Sequence, residues 1–208
     1  MITVVGSLKG GSGKSTVTFN LAVWLAMAEV NVLTIDLDPQ ATLRDVAEVR
    51  EEENYQPPVK VKGKKALAEE KLAAADEVLI DVGTADLEMM KRAIRHADRI
   101  LVPVPPSQAD IWSTQRFIQF VHSLEKDVEI LGFINRGDTH HAVRETDEAA
   151  AALVSLPGIR FLKPRLAQRT IFRRSFSEGL AVFELNPKSK GSKEFLSLCA
   201  KLYPKQVG

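Results

Sequence analysis

The sequence predicts an α/β fold, in which one domain spanning residues 1–208 is built on a mainly parallel sheet of about seven strands flanked by helices. Three observations support this prediction. Short apolar runs typical of buried strands alternate with helical runs along the chain. Two of the strand-like runs end in an aspartate, where open parallel sheets place their ligands. A glycine-rich loop joins the first strand to the first helix.

The strands are predicted from short apolar runs, and the helices from apolar residues that recur at helical spacing. The strands are expected at residues 2–5, 31–36, 59–62, 78–81, 99–104, 128–134 and 159–162. The helices are expected at residues 15–28, 41–48, 66–75, 86–96, 111–124, 142–153 and 193–202. Strand–helix–strand units of this length form right-handed crossovers between parallel strands.

Composition narrows the class of protein. The chain is 45% hydrophobic and 26% charged, which is ordinary for a soluble globular domain. No apolar stretch reaches the roughly 18 residues of a membrane span. The single cysteine, Cys199, excludes an internal disulfide and argues against an iron–sulfur cluster, which needs several thiolates. We therefore expect a cytoplasmic protein.

The stretch 4–16 carries the strongest motif, because a strand leads into a glycine-rich loop and then into a helix. Glycines let backbone N–H groups turn toward an anion, and the helix N-terminus adds its dipole. Lys14 is expected to reach the β- and γ-phosphates, and the Ser15 hydroxyl to ligate Mg²⁺. The predicted nucleotide-binding residues of this loop are Gly10, Gly11, Ser12, Gly13, Lys14, Ser15 and Thr16.

A second motif follows the strand at residues 31–36. Asp36 and Asp38 are separated by one residue, and Pro39 stiffens the turn that presents them. Two carboxylates in this position can serve a magnesium ion and an attacking water. The alternative is that Asp38 only caps the helix that begins after Pro39.

The loop Lys9-Gly10-Gly11-Ser12-Gly13-Lys14-Ser15 resembles the deviant phosphate loop of the ParA/MinD ATPases, with Leu8 standing where the generic loop has glycine. The resemblance covers Met1 to about Tyr203 and is strongest to short partition ATPases of the ParA type. It implies an ATPase that uses ATP and Mg²⁺ and yields ADP. In that family the first lysine, here Lys9, reaches across a dimer to the partner's nucleotide. By the same resemblance Asp38 places the hydrolytic water, and Asp36 and Asp81 lie near the metal.

The resemblance also assigns Asn135, Arg136 and Pro164 to the nucleotide, with Asn135 and Arg136 on the adenine side. An asparagine amide can pair with the donor and acceptor edge of adenine. The alternative is a turn-forming asparagine before Gly137. The loop before the helix at 111–124 resembles the family's dimer face, although Ser107-x-x-Asp110 is also a helix-start signature.

Basic residues are concentrated at the C-terminal end of the chain. Residues 160–208 hold 11 Lys/Arg and three acids, whereas residues 1–159 hold 17 and 24. This asymmetry favours an anionic partner. A helix over this stretch would place Arg169, Arg173 and Arg174 on one side. The predicted site for non-specific DNA comprises Arg169, Arg173, Arg174, Lys188, Lys190 and Lys193; the alternative is that the arginines pair with acids of the same chain.

The resemblance implies a homodimer with ATP, a ParB-type stimulating protein and a nucleoid-associated location, with no stable membrane association. Two alternatives remain open. A MinD-like membrane-cycling ATPase needs a C-terminal amphipathic helix that can leave the body of the protein. A biosynthetic ATP-dependent ligase of the same superfamily needs a pocket for a second substrate.

Overall fold

The computed structural model describes residues 1–139 and 144–206, and all strand and helix bounds below refer to them. The strands are β1 (Ile2–Val5), β2 (Val32–Asp36), β3 (Val61–Lys62), β4 (Glu77–Asp81), β5 (Arg99–Val104), β6 (Glu129–Gly137), β7 (Arg160–Phe161) and β8 (Leu166–Ala167). The helices are α1 (Lys14–Met27), α2 (Thr42–Glu52), α3 (Glu69–Ala73), α4 (Leu87–His96), α5 (Gln108–His122), α6 (Glu145–Ser155), α7 (Thr170–Ser177), α8 (Val182–Leu185) and α9 (Lys190–Leu202). Short 3₁₀ turns occupy Lys64–Leu67 and Pro204–Gln206.

The sheet has the order β3-β2-β4-β1-β5-β6-β7, and β8 pairs with β6 beyond the end of β7. Every strand pairing among the described residues is parallel. The order reverses around β1, because β4 lies on one side of it and β5 on the other. The predicted α/β class and parallel sheet are confirmed, with β8 in addition to the seven expected strands.

The core lies on both faces of the sheet because successive strand residues point to opposite sides. Val4 packs with α4, α5 and α6 on one face, whereas Val5 packs with α1, α2 and α9 on the other. The same alternation separates Leu79 from Ile80 in β4 and Ile100 from Leu101 in β5. The three central strands, β4, β1 and β5, are therefore buried on both faces. This leaves the ends of the strands as the place where a ligand can reach them.

Several predicted elements have other bounds in the structure; for example, α2 runs on to Glu52 and α5 starts at Gln108. The helix expected at residues 66–75 is a 3₁₀ turn and the short α3, because Ala68 has an extended backbone (φ −66°, ψ 132°). The last helix starts at Lys190, capped by Ser189, and Gly191 inside it lets Ile171 approach closely. The first two residues of the helix expected at 142–153 lie outside the described residues, and α6 is described from Glu145 onward.

Candidate nucleotide-binding site

The loop between β1 and α1 has the backbone of an anion cradle. Gly11 and Gly13 have φ values of 76° and 89°, which residues with a side chain rarely adopt. A Cβ on Gly13 would also lie 2.4 Å from Asn135 Nδ2, so no side chain fits at that position. No side chain caps α1 at Gly13. The N–H groups of its first turn are therefore available to a phosphate.

The ammonium group of Lys14 is buried under this loop. It donates to Ser7 Oγ at 3.3 Å and to the carbonyl oxygen of Lys9 at 3.4 Å. Burial lowers the pKa of Lys14, while the carboxylates of Asp81 and Asp38 raise it. Its hydrogen-bond partners are neutral and distant, so the buried charge is only partly compensated. A polyphosphate would supply the missing negative charge.

Ser15 and Asp81 form the side of the site where a metal would bind. Ser15 Oγ donates to Asp81 Oδ2 at 2.6 Å. Asp81 is 1% exposed, and burial raises the pKa of its carboxyl group to about 7. Its other oxygen, Oδ1, has no hydrogen-bond partner among the described residues. A buried carboxylate oxygen without a partner, next to a serine hydroxyl, fits a hydrated magnesium ion.

Asp36 lies beside Asp81 in the register of β2 and β4. Its carboxylate accepts the backbone N–H of Asp38 at 2.9 Å and that of Arg44 at 3.2 Å. Burial raises the pKa of Asp36. In the described residues no three His, Cys, Asp or Glu side chains converge to hold a metal directly. The structure thus shows Asp36 organising the β2–α2 loop, and its predicted part in metal binding remains a prediction.

Asp38 is held against the loop that follows β4. Its carboxylate accepts the N–H of Gln40 at 2.9 Å. A Cβ on Gly83 would lie 2.7 Å from Asp38 Cγ, so only glycine leaves room for this carboxylate. Asp38 is partly exposed and sits at the same edge of the sheet as the phosphate loop. Its predicted part in placing the hydrolytic water remains a prediction.

Lys9 lies at the mouth of the loop with 47% of its side chain exposed. Its Nζ is 2.9 Å from Asp110 Oδ1 at the start of α5. Ser107 caps α5 by accepting the N–H of Asp110 at 3.2 Å, as the helix-start signature predicted. The Ser107 hydroxyl also contacts the Asp110 carboxylate. Lys9 is thus an exposed cation held by its own subunit.

A cavity of about 300 Å³ lies next to the start of α1, where Gly13 and Thr16 line it. Asn135 and Arg136, which were predicted for the adenine side, both line it, and we call it the base cavity for that reason. Asn135 Nδ2, however, donates to the carbonyl oxygen of Ser12 at 2.7 Å. This bond supports the phosphate loop and uses part of the amide that was expected to read adenine.

The rest of this cavity comes from the C-terminal part of the chain. The residues described as lining it include Leu166, Ala167 and Gln168 of the β8 region but not the predicted Pro164. Phe172 and Phe176 of α7 add aromatic surface. Sequence reasoning did not find these aromatics, because a lone phenylalanine on a short helix is usually part of the core.

Two of the three predicted DNA-binding arginines are engaged by acids of the same chain, and Arg169 and Arg173 line the same cavity. Arg169 precedes α7 and makes an ion pair with Glu194, so the expectation that one helix carries all three arginines is wrong. Arg173 lines the base cavity. Arg174 pairs with Glu178 one turn later. Lys188, Lys190 and Lys193 are exposed around the start of α9, and no carboxylate lies within 4 Å of their ammonium groups in the described part of the chain.

The fold and the site together define a nucleotide-binding protein of the phosphate-loop NTPase class. The family model described as the CobQ/CobB/MinD/ParA nucleotide binding domain matches residues 3–182, and the chain belongs to this family. The resemblance to the ParA/MinD group is thus confirmed.

Relatives of known name agree with this assignment. The chain is 26% identical over 196 residues to the maintenance of carboxysome distribution protein A of Halothiobacillus neapolitanus, covering 90% of this chain and 89% of that protein. It is 29% identical over 185 residues to protein ParA of Rhizobium radiobacter, covering 86% and 83%. A solved complex of a Cyanothece McdA variant with ATP has the same fold, with a TM-score of 0.76, 22% identity and coverage of 97% and 95%.

Proposed function

We propose that this protein is a partition or positioning ATPase that dimerises on ATP, binds DNA without sequence preference and is released by hydrolysis. The observation that carries the proposal is the pair of lysines in one phosphate loop. Lys14 is buried beneath the loop, whereas Lys9 is exposed at its mouth. A second subunit facing the loop would meet Lys9 first.

The hydrolytic step follows from the positions of the loop residues. The backbone N–H groups of α1 and the ammonium of Lys14 bind the β- and γ-phosphates. Asp38 orients a water toward the γ-phosphate, and attack of this water releases phosphate and ADP. The two lysines stabilise the charge that develops on the phosphate oxygens.

Ser15 and Asp81 are the residues that would hold Mg²⁺, with Ser15 as a direct ligand. Asp81 would contact the metal's water shell through its unused oxygen, and Asp36 would stand behind it. The metal, when bound, neutralises part of the phosphate charge. A magnesium ion usually keeps several waters, which agrees with the scarcity of direct carboxylate ligands.

The Lys9–Asp110 pair defines what must change on dimerisation. Lys9 has to leave Asp110 before it can reach a nucleotide bound by the partner. The ion pair is half exposed on the lysine side, and such pairs contribute little stability, so the exchange is accessible. The γ-phosphate of ATP offers Lys9 a stronger anionic partner than a single carboxylate does.

Size-exclusion chromatography with light scattering tests this proposal. With ATP, the Asp38→Ala variant is expected to elute as a stable dimer, and with ADP as a monomer. The Lys9→Ala change in the same background should prevent the dimer while nucleotide affinity is retained. Lys205→Ala, at an exposed C-terminal lysine, is the matched control. A Lys9→Ala protein that dimerises like the control would refute the role of Lys9 across the interface.

DNA binding is proposed for the exposed basic groups that remain, chiefly Lys188, Lys190 and Lys193. Replacing all three by alanine should weaken binding to random duplex DNA in the ATP state. It should also flatten the slope of log affinity against log salt by about one unit for each phosphate that is no longer neutralised. Lys163→Ala/Lys201→Ala/Lys205→Ala is a control of equal charge. Equal losses in both triple variants would assign binding to net charge, not to this site.

Arg173→Ala/Arg174→Ala tests the arginine part of the predicted DNA site separately. Because Arg173 lines the base cavity, nucleotide affinity is measured first, and DNA binding is compared at saturating ATP. Unchanged DNA affinity would remove both arginines from the DNA site. Arg169 is excluded from this variant because its ion pair with Glu194 has a structural role.

A ParB-type protein as the stimulating partner, and a nucleoid-associated location in the cytoplasm, belong to the same proposal. They are supported by the similarity to protein ParA and to the maintenance of carboxysome distribution protein A. A membrane-cycling function is less well supported. The apolar face of α9 is buried in the core, whereas that function needs this helix to be free for a membrane surface. As a separate finding, none of the described helices is both long enough and apolar enough to cross a bilayer.

A further inference from the structure

A second cavity, of about 490 Å³, lies beside the β2–α2 loop on the side away from the base. We call it the lysine-rimmed cavity. Its rim carries Arg44, Lys62, Lys64, Lys65 and Lys71. The segment 60–65 alone supplies four lysines and no acid. The proposed nucleotide chemistry does not use any of these lysines.

The rim lysines differ from six of the thirteen arginines, which pair with carboxylates among the described side chains. Lys62, Lys64, Lys65 and Lys71 are exposed. In the part of the chain whose side chains are described, no carboxylate lies within 4 Å of their ammonium groups. Arg44 alone is engaged, since its Nε lies 3.7 Å from Asp36 Oδ2. With Arg44 and Asp36 paired, four lysines remain against the carboxylates of Asp38 and Asp86, so the described lining keeps a net positive charge that attracts an anionic partner.

The interior of the cavity is different from its rim. Leu37 and Ala66 are buried there, and Met89 and Pro39 add further apolar surface. The carboxylates of Asp36, Asp38 and Asp86 also line it. Nucleic-acid phosphates entering so deep would meet these carboxylates, whereas an apolar side chain can fill the interior. A peptide with one apolar side chain flanked by acidic residues matches both the interior and the rim.

The position of the cavity connects it to hydrolysis. Its wall is the loop that carries Asp36 and Asp38, and Asp38 lies against Gly83 of the loop after β4. We propose that the lysine-rimmed cavity docks an acidic segment, with an apolar anchor residue, of the protein that stimulates this ATPase. This inference rests on the proposed function, because it assumes a stimulating partner. An occupant would contact the backbone that positions the water-orienting carboxylate.

Fluorescence anisotropy tests the inference with a defined probe. The probe is a fluorescein-labelled 12-residue peptide of glutamates with a central leucine, and its control has glutamine at every glutamate. Wild-type protein should bind the acidic peptide and not the glutamine peptide. Lys64→Glu/Lys65→Glu should weaken binding at least about tenfold, because two attractive charges become repulsive. Lys201→Glu/Lys205→Glu changes the net charge equally on another surface and should stay within about twofold.

Melting temperature and ATP affinity confirm that each variant is folded, and Lys64→Gln/Lys65→Gln replaces the charge reversal if that variant is unstable. Equal binding of the peptide by both charge-reversed variants, or no binding by the wild type, overturns the inference. Selective loss of duplex DNA affinity with unchanged peptide affinity would assign the lysines to nucleic acid instead. A changed oligomeric state with unchanged peptide affinity would assign them to a second copy of the chain.

The peptide titration is carried out without nucleotide, so its result does not depend on dimerisation or hydrolysis. A wild-type protein that binds the peptide but never dimerises with ATP would refute the proposed function and leave the docking site standing. A protein that dimerises with ATP but binds the peptide equally well in both charge-reversed variants would do the reverse.

Discussion

The candidate phosphate end and the candidate base end of the nucleotide site are built in different ways. At the phosphate end, the functional groups lie at or just beyond the ends of three adjacent strands, β1, β2 and β4. At the base end, the cavity wall is assembled from α7, β8 and β6, which are distant in sequence from the phosphate loop. The first end is specified by local motifs, and the second depends on contacts between distant parts of the chain.

Two ion pairs hold the segments that form the base end. Glu194 of α9 binds Arg169 and also accepts the N–H of Ala167 in β8. Arg50 of α2 is 1% exposed and makes bonds of 2.9 Å to both carboxylate oxygens of Glu184. Arg50 also donates to the carbonyl oxygens of Pro57 and Gly179. The C-terminal segment is thereby tied to the same α2 that follows the Asp36–Asp38 loop.

Breaking the buried pair is expected to have the largest effect. Glu184→Gln leaves the charge of Arg50 buried without its counter-ion, which should lower the free energy of unfolding by about 3 kcal/mol. Urea denaturation measures this change. Nucleotide affinity should fall as well, because the substitution loosens the wall of the base cavity.

Glu178→Gln is the matched control, because Glu178 pairs with the exposed Arg174 on the same segment. It should leave the urea midpoint unchanged. If Glu184→Gln is as stable as this control, the base end does not depend on the buried pair.

The residues predicted for the phosphate end all lie in short motifs at or just after a strand end, and the structure brings the loop, Asp36, Asp38 and Asp81 to one edge of the sheet. The base end was predicted only where the chain returns to the sheet, at Asn135 and Arg136. Pro164 was expected there, but the described lining begins two residues later, with the two-residue strand β8. A strand this short has no periodicity, and pairing between Arg169 and Glu194 leaves no local signal. Charge counting likewise located the basic region but not which arginines are neutralised.

The pH dependence of stability is the next largest effect and belongs to the phosphate end. Burial raises the pKa of Asp81 from 3.8 to about 7. Between these two values the folded protein keeps a proton that the unfolded chain releases, so the free energy of unfolding falls as the pH rises, and it levels off above about pH 7. From pH 5 to pH 8, in EDTA and without nucleotide, the titration of this group should lower the free energy of unfolding by about 2 to 3 kcal/mol.

The contribution of Asp81 is isolated by comparing denaturation curves of wild type and Asp81→Asn across that range. The asparagine variant should lose most of the slope, whereas Asp127→Asn, at an exposed carboxylate, should keep it. An Asp81→Asn protein with the wild-type slope would show that another buried group, such as Asp36 or Glu77, controls the titration.

The smallest expected effect separates the two ends by ligand. Phe172 is half-buried and lines the base cavity, with its ring centroid 6.5 Å from that of Phe195. Phe172→Ala should lower the affinity for ATP and for ADP to the same extent, because both nucleotides carry the same base. The expected loss is about fivefold, since an aromatic contact contributes about 1 kcal/mol. Tripolyphosphate, which has no base, should bind equally well to the variant. Isothermal titration calorimetry with the three ligands gives the comparison, and Phe120→Ala on α5 controls for removal of a half-buried ring.

Lys14→Ala provides the opposite pattern, since it should abolish binding of all three ligands. If Phe172→Ala lowers the affinity for tripolyphosphate as much as the affinity for ATP, the aromatic wall supports the phosphate loop and the two ends of the site are not independent.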